Sequence, residues 1–192
     1  MTSDRRAGRP RDPRIEQAAL GAARDLLVEG GWPALTVAAV AERAGTTKPA
    51  LYRRWPSLPH LAYEAAFPDE VALDFTLTED LHSDLAGIVT GIRTIFTSPI
   101  VAAALPGLLA EFSVHPHLHS SLLARFADGF ETLDERLALA AENGEARPGV
   151  RAADLLQVAI GTVLLGVLLG PETLDDAWAD RLTAMLWNGI AP

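Results

Sequence analysis

Few side chains in this sequence are arranged for reaction chemistry, and more are arranged to meet a polyanion. The densest titratable cluster is His115, His117 and His119. Three imidazoles suit zinc or nickel, but alternate residues of a helix point to different faces, and the chain has no cysteine to complete a site. No metal is expected there. The cluster reads as a polar helix start with His115 turned toward a pocket. Glu131, Asp134 and Glu135 stand three to four apart and read as a solvated face. Glu111, isolated in a mostly apolar stretch, either contacts a ligand or points outward. The chain has no Gly-x-Ser-x-Gly elbow, no phosphate-cradling Gly-Lys-Ser/Thr loop and no His-Glu-x-x-His pair. Neither an enzyme nor a cofactor is expected. The chemistry that remains is cationic: Lys48, Arg53 and Arg54 lie beside Thr46, Thr47 and Tyr52.

The elements that hold those cations are two short helices joined by a tight turn, spanning 36–55. Thr36 is placed to cap the first through its side chain. Val37, Val40, Ala41 and Ala44 recur at helical spacing and form one apolar face. Gly45 stops that helix, where a left-handed residue is often needed. Thr47 can cap the second helix, and Pro49 falls in its first turn, where a missing N–H is harmless. Leu51 and Trp55 sit four apart and turn toward the first helix, leaving Lys48, Ala50, Tyr52, Arg53 and Arg54 on other faces. This is a helix-turn-helix whose basic second helix has the size of a major groove.

The run Ala44-Gly45-Thr46-Thr47-Lys48-Pro49-Ala50-Leu51-Tyr52-Arg53-Arg54-Trp55-Pro56-Ser57 resembles the DNA-binding signature of the TetR family of bacterial repressors. The likeness covers roughly residues 13–67 and departs at Leu58, where the family usually has a phosphate-touching Lys. The resemblance implies Thr47, Lys48, Ala50, Tyr52 and Arg53 at the groove, with Thr36, Thr46 and Arg54 as phosphate or backbone neighbours. Lys48 would reach a guanine or a phosphate, and Tyr52 would bond a phosphate; apart from the resemblance, Tyr52 also reads as a residue packed on the helix that precedes the motif, and both roles can hold at once. The resemblance also implies that the last two helices pair across a two-fold axis.

Charge is divided along the chain. Residues 1–60 hold 10 Lys and Arg against 6 Asp and Glu, a net of +4, while the rest is net −13. Only the head suits a polyanion. Within residues 1–12, an arm preceding the domain, Gly8-Arg9-Pro10-Arg11 has two readings: a minor-groove insert using Arg9 and Arg11, or a solvated tail of diffuse charge, which is slightly preferred. The N-terminus is Arg-rich without an apolar segment, so no signal peptide is expected. The longest nearly apolar run, 155–169, is shorter than the roughly 20 residues of a membrane span. No membrane partner is expected, and the lack of cysteine fits a cytoplasmic setting.

The remaining pattern is helical throughout. An all-α fold of about nine helices is expected: a three-helix helix-turn-helix domain over 13–56, a linking helix over 57–67, and a bundle over 68–192. Helices are read at 13–29, 57–66, 79–97, 100–114 (with Pro106 kinking or splitting it), 116–143, 152–169 and 174–188. Trp32 and Leu35 should cover the core of the head. The bundle should hold a pocket at Phe96, Leu108, Glu111, Phe112, His115, Phe126 and Phe130, suited to a small apolar effector. The helix at 152–169 is apolar almost all round and so needs cover on every side. Leu156, Ile160, Val163, Leu164 and Val167, with Trp178, Leu182, Met185 and Leu186, are expected at a homodimer interface. The reading is a homodimeric regulator of double-stranded DNA with a palindromic operator. It would be a repressor released by its effector. Two rivals stand: a regulator of the same fold with no small ligand, and a ligand-binding bundle that does not bind DNA.

Overall fold

The computed structural model describes residues 13–68, 77–112, 114 and 126–192. Among them are nine α-helices, one 3-10 turn and no strand. The head comprises α1 (Pro13–Ala34), α2 (Val37–Arg43) and α3 (Lys48–Tyr52). Its core is small: Ala19, Ala22, Ala23, Leu26 and Leu27 of α1 meet Leu35, Val40, Ala41, Leu51 and Trp55. Helical spacing over Ile15, Ala18, Ala19, Ala22, Leu26 and Leu27 predicts an inner stripe through Ala18, but Ala18 is exposed and Ala23 is buried in its stead. The helix of α1 breaks at Gly31, whose φ of 66° lies in the left-handed region, and a last turn carries the chain to Ala34.

α4 (Leu58–Ala66) follows at once and is buried through Leu61, Ala62, Tyr63, Ala65 and Ala66. Ser57 stands at its N-cap position but makes no capping bond. Its hydroxyl pairs instead with Nδ1 of His60 at 2.8 Å. The guanidinium Nε of Arg24, on α1, donates to the carbonyl of Ala65 at 2.9 Å. A charged donor thus satisfies one of the carbonyls that the end of α4 leaves over.

The body comprises α5 (Leu81–Thr97), α6 (Pro99–Phe112), α7 (Ala127–Glu142), α8 (Ala152–Leu169) and α9 (Asp176–Ile190). Pro106 neither splits nor ends α6, which runs unbroken from Pro99 to Phe112. The break comes at Ser98, where α5 and α6 meet at 80°. Residues 116–125, read from the sequence as the start of the helix at 116–143, lie outside the described residues, as do most of the loop after Pro68 and the arm. Carboxylates start two body helices: Asp80 accepts from the N–H of His82 and Asp175 from that of Trp178. Glu131, Asp134 and Glu135 are all exposed, as a solvated face requires, and Asp134 has a further role. Its Oδ1 accepts the N–H of Ala152 at 2.7 Å and caps α8 from a neighbouring helix.

One polar knot is buried in the body. Asp84 and Arg136 are 3% and 8% exposed. Arg136 Nε lies 3.0 Å from Asp84 Oδ2 and also donates to the carbonyl of Thr78, while its second nitrogen reaches Glu145 at 3.1 Å. Asp84 Oδ1 accepts from both the N–H and the hydroxyl of Thr78. Burial opposes the Arg136 charge, but the bonds to Glu145 and Asp84 outweigh it and hold its pKa above the ordinary arginine value.

The head is not hung on α4 alone. Both α1 and α4 pack along α6, and the α1 contact is extensive. Leu35 fills the head core as expected. Trp32 goes elsewhere: it is half-buried, lying against α6 at Gly107, which has no side chain to obstruct it.

Candidate nucleic-acid interface

The turn between α2 and α3 is built from local chemistry. The N–H of Ala39 donates to the Thr36 hydroxyl at 3.1 Å, and that of Ala50 to the Thr47 hydroxyl at 3.4 Å, so both threonines act as N-caps. Gly45 has φ of 61°, and the N–H of Thr46 returns to the carbonyl of Ala41 at 2.9 Å. Such a left-handed stop closes the first helix while it redirects the chain. Leu51 and Trp55 are buried, and the Trp55 indole N–H donates to Glu64 of α4 at 2.6 Å. That bond fixes the end of the α3 segment to the next helix.

Lys48, Pro49, Tyr52 and Arg53 are left outside, with Thr47 before them, and all five are exposed. Tyr52 is 54% exposed. Thr36 is exposed beside them, and Thr46 is half-buried in the turn. Two expected exposures need correction. Ala50 is buried, because it shares the inward side of α3 with Leu51. Arg54 lies one helical turn after Ala50 and follows the same side. Its side chain is 10% exposed and faces Glu16 of α1. Arg9 and Arg11 lie outside the described residues.

The body contains a cavity of about 370 Å³, within the range of small-molecule sites. Phe96, Leu108, Phe112, Phe126 and Phe130 line it, as expected from the sequence. Glu111 is not among the lining residues, and His115 lies outside the described residues. The lining also includes Phe67, the residue that closes α4, and Gln157 of α8. Phe67 packs on Tyr63 and Phe96 with ring centroids 5.5 and 6.2 Å apart. Sequence reading missed Phe67 because it stands at a helix end, where periodicity carries no information.

The expected interface residues divide by burial. Leu156, Val163, Val167, Leu182 and Leu186 are buried within the protomer, and Ile160 and Leu164 line the cavity. Trp178 is half-buried, and Met185 is 63% exposed. The outward apolar stripe of α8 is instead Val158, Leu165, Leu168 and Leu169, with Thr162 turning its hydroxyl back onto the Val158 carbonyl. Among the described residues α8 is also the one single helix long and apolar enough to cross a membrane. Its inward half is accounted for by the core and cavity.

Known proteins share this architecture over nearly the whole chain. The description "Bacterial regulatory proteins, tetR family" matches residues 19–61, and "Tetracyclin repressor-like, C-terminal domain" matches residues 76–186. The chain belongs to the TetR family. Its relatives include the HTH-type transcriptional regulator YdeS of Bacillus subtilis (strain 168), 24% identical over 95% of this chain and 93% of that one. The crystal structure of the TetR family transcription regulator SCO0332 superposes with a TM-score of 0.66 and 28% identity, over 93% of this chain and all of the other. NalD, the secondary repressor of the MexAB-OprM multidrug efflux pump in Pseudomonas aeruginosa, shares the fold with a TM-score of 0.63 and 20% identity, over 93% and 98% of the two chains. As a TetR protein, this chain is a DNA-binding transcriptional regulator and not an enzyme.

Proposed function

We propose that this TetR protein is a homodimeric, cytoplasmic repressor that binds a palindromic operator and is released when a small apolar molecule fills the body cavity. The observation that carries the reading is Phe67. It closes α4, next to the head, and it is also part of the cavity wall. A molecule seated there touches the element from which the head extends. On this reading the groove residues are Thr47, Lys48, Tyr52 and Arg53, with Pro49 in the first turn of α3 and Thr36 and Thr46 near phosphates. The outward stripe of α8 and Met185 of α9 supply the face for a second copy, and the two-fold axis places two heads on two half-sites.

Selection from randomised duplexes with purified protein tests the DNA half and yields the operator. A screen of hydrophobic compounds for thermal stabilisation, followed by operator titration with each hit, tests release. A compound that weakens operator binding about tenfold must bind the DNA-bound form about tenfold more weakly, a coupling of about 1.4 kcal/mol. Compounds that stabilise the protein and leave operator affinity unchanged would overturn release by ligand.

The role of Lys48 is separable by salt. Lys48→Ala should lower the slope of log affinity against log salt by about 0.9 if the amine neutralises one phosphate. A slope unchanged, with preference relaxed at one operator position, assigns it to a base instead.

A further inference from the structure

α6 is a partition between the head and the cavity. Leu105, Leu108, Leu109 and Phe112 lie on one side of it and line the cavity. At 3.6 residues per turn, Gly107 falls on the opposite side. There it is buried, and a Cβ built on it would overlap the six-membered ring of Trp32. The indole therefore sits directly on the α6 backbone, in a notch that only glycine leaves open. Trp32 comes from the last turn of α1, just past the left-handed break at Gly31. It belongs to the head by sequence and to the body by contact. α4 supplies a second link, through Phe67 against Phe96.

We infer that the Trp32 indole seated at Gly107 is a positioning device for the DNA-binding head, through which α6 reports cavity filling to α1 independently of α4. The inference rests on the dimeric, ligand-released reading above. The reasoning is steric. Packed interiors change between discrete arrangements and do not deform smoothly. A molecule pressing on Leu108 and Leu109 moves the helix that carries the notch, and a ring in contact with its backbone must follow or leave. Trp32 is not among the residues that line the cavity, and it lies outside α3, so its effect is on where the head points and not on what it recognises.

Gly107→Ala in the full chain fills the notch while leaving the cavity face of α6 and the surface of α3 as they are. Two duplexes chosen by randomised selection serve as probes, one with a single half-site and one with the full palindrome. The expected result is a loss of about tenfold on the palindrome, in the range of ordinary coupling between sites, with half-site affinity unchanged. Trp32→Leu, which empties the notch and adds no atoms to it, should do the same, and decides the question if the alanine variant does not fold. Unchanged palindrome affinity overturns the inference. An equal loss on both duplexes also overturns it, since Trp32 would then merely hold the head folded. A second arm uses N-phenyl-1-naphthylamine, a neutral apolar fluorophore. It should bind wild type and variant alike but weaken palindrome binding in the wild type alone. Equal weakening in both means the cavity speaks through α4 only, and the device is refuted. If the fluorophore binds neither protein, ligand release is what fails, while the duplex comparison still decides the seating of Trp32. Wild type that binds the palindrome no better than the half-site removes the dimeric reading and the inference together.

Discussion

Leu165→Glu is expected to convert the protein into folded monomers that keep half-site binding and lose the palindrome. Leu165 is 57% exposed in the protomer, on the outward stripe of α8 with Val158, Leu168 and Leu169. A carboxylate there meets water in the single chain, so the fold is undisturbed. Across a two-fold axis the same substitution enters the interface twice, because each copy presents the same patch. A charge buried without a partner costs several kcal/mol, about 3–5 when the comparison is a broken pair. Even the lower figure weakens dimerisation by more than about a hundredfold. Sedimentation and circular dichroism, read together, make the measurement. Val28→Glu is the control: Val28 is equally exposed but lies on α1, and its substitution should leave the dimer intact. Leu165→Glu dimers of ordinary stability would show that another surface joins the copies.

The second large effect concerns folding. Arg136→Met should lower stability by about 3–5 kcal/mol, because it strands the Asp84 carboxylate in the core. The Asp84 side chain is 0% exposed and that of Arg136 is 7% exposed, so water cannot take over the lost partner. For a chain of this length that loss corresponds to a fall in Tm of roughly 6–20 °C. The sharper expectation is the double variant. Asp84→Leu with Arg136→Met removes both charges and should recover much of the loss, since apolar replacement of a buried pair is often neutral or better. Calorimetry on the two single variants and the double variant completes the test. A loss below about 1 kcal/mol in Arg136→Met would mean that the interior relaxes to let water reach Asp84.

The head was legible because its design is local. Thr36, Gly45 and Thr47 act within three or four residues of themselves, and the bonds expected of them are present. The break at Gly31 and the left-handed Gly144 after α7 belong to the same class of signal. The body was legible as helices but not as faces. α8 has almost no polar side to mark its outward direction, so Leu156 and Val163 could not be told from Leu165 by sequence. The misplacement of Ala50 and Arg54 is a smaller case: in a helix of five residues, one position of rotation decides burial. Distant pairings were invisible. Asp84 and Arg136 are 52 residues apart, and nothing in either neighbourhood points to the other. The same is true of Trp32 and Gly107, whose partnership is made of one ring and one missing side chain.

The segregation of α3 into an inward and an outward half has an evolutionary consequence. Ala50, Leu51 and Trp55 do the folding, and the Trp55 bond to Glu64 locks that half in place. Lys48, Pro49, Tyr52 and Arg53 contribute little to the core, and surface exchanges of this kind usually change stability by less than about 0.5 kcal/mol. Mutations that redirect the protein to new target sequences are therefore close to thermodynamically silent. A duplicated copy of the gene can drift in what it reads without passing through an unfolded ancestor, and the body that senses can be inherited unchanged.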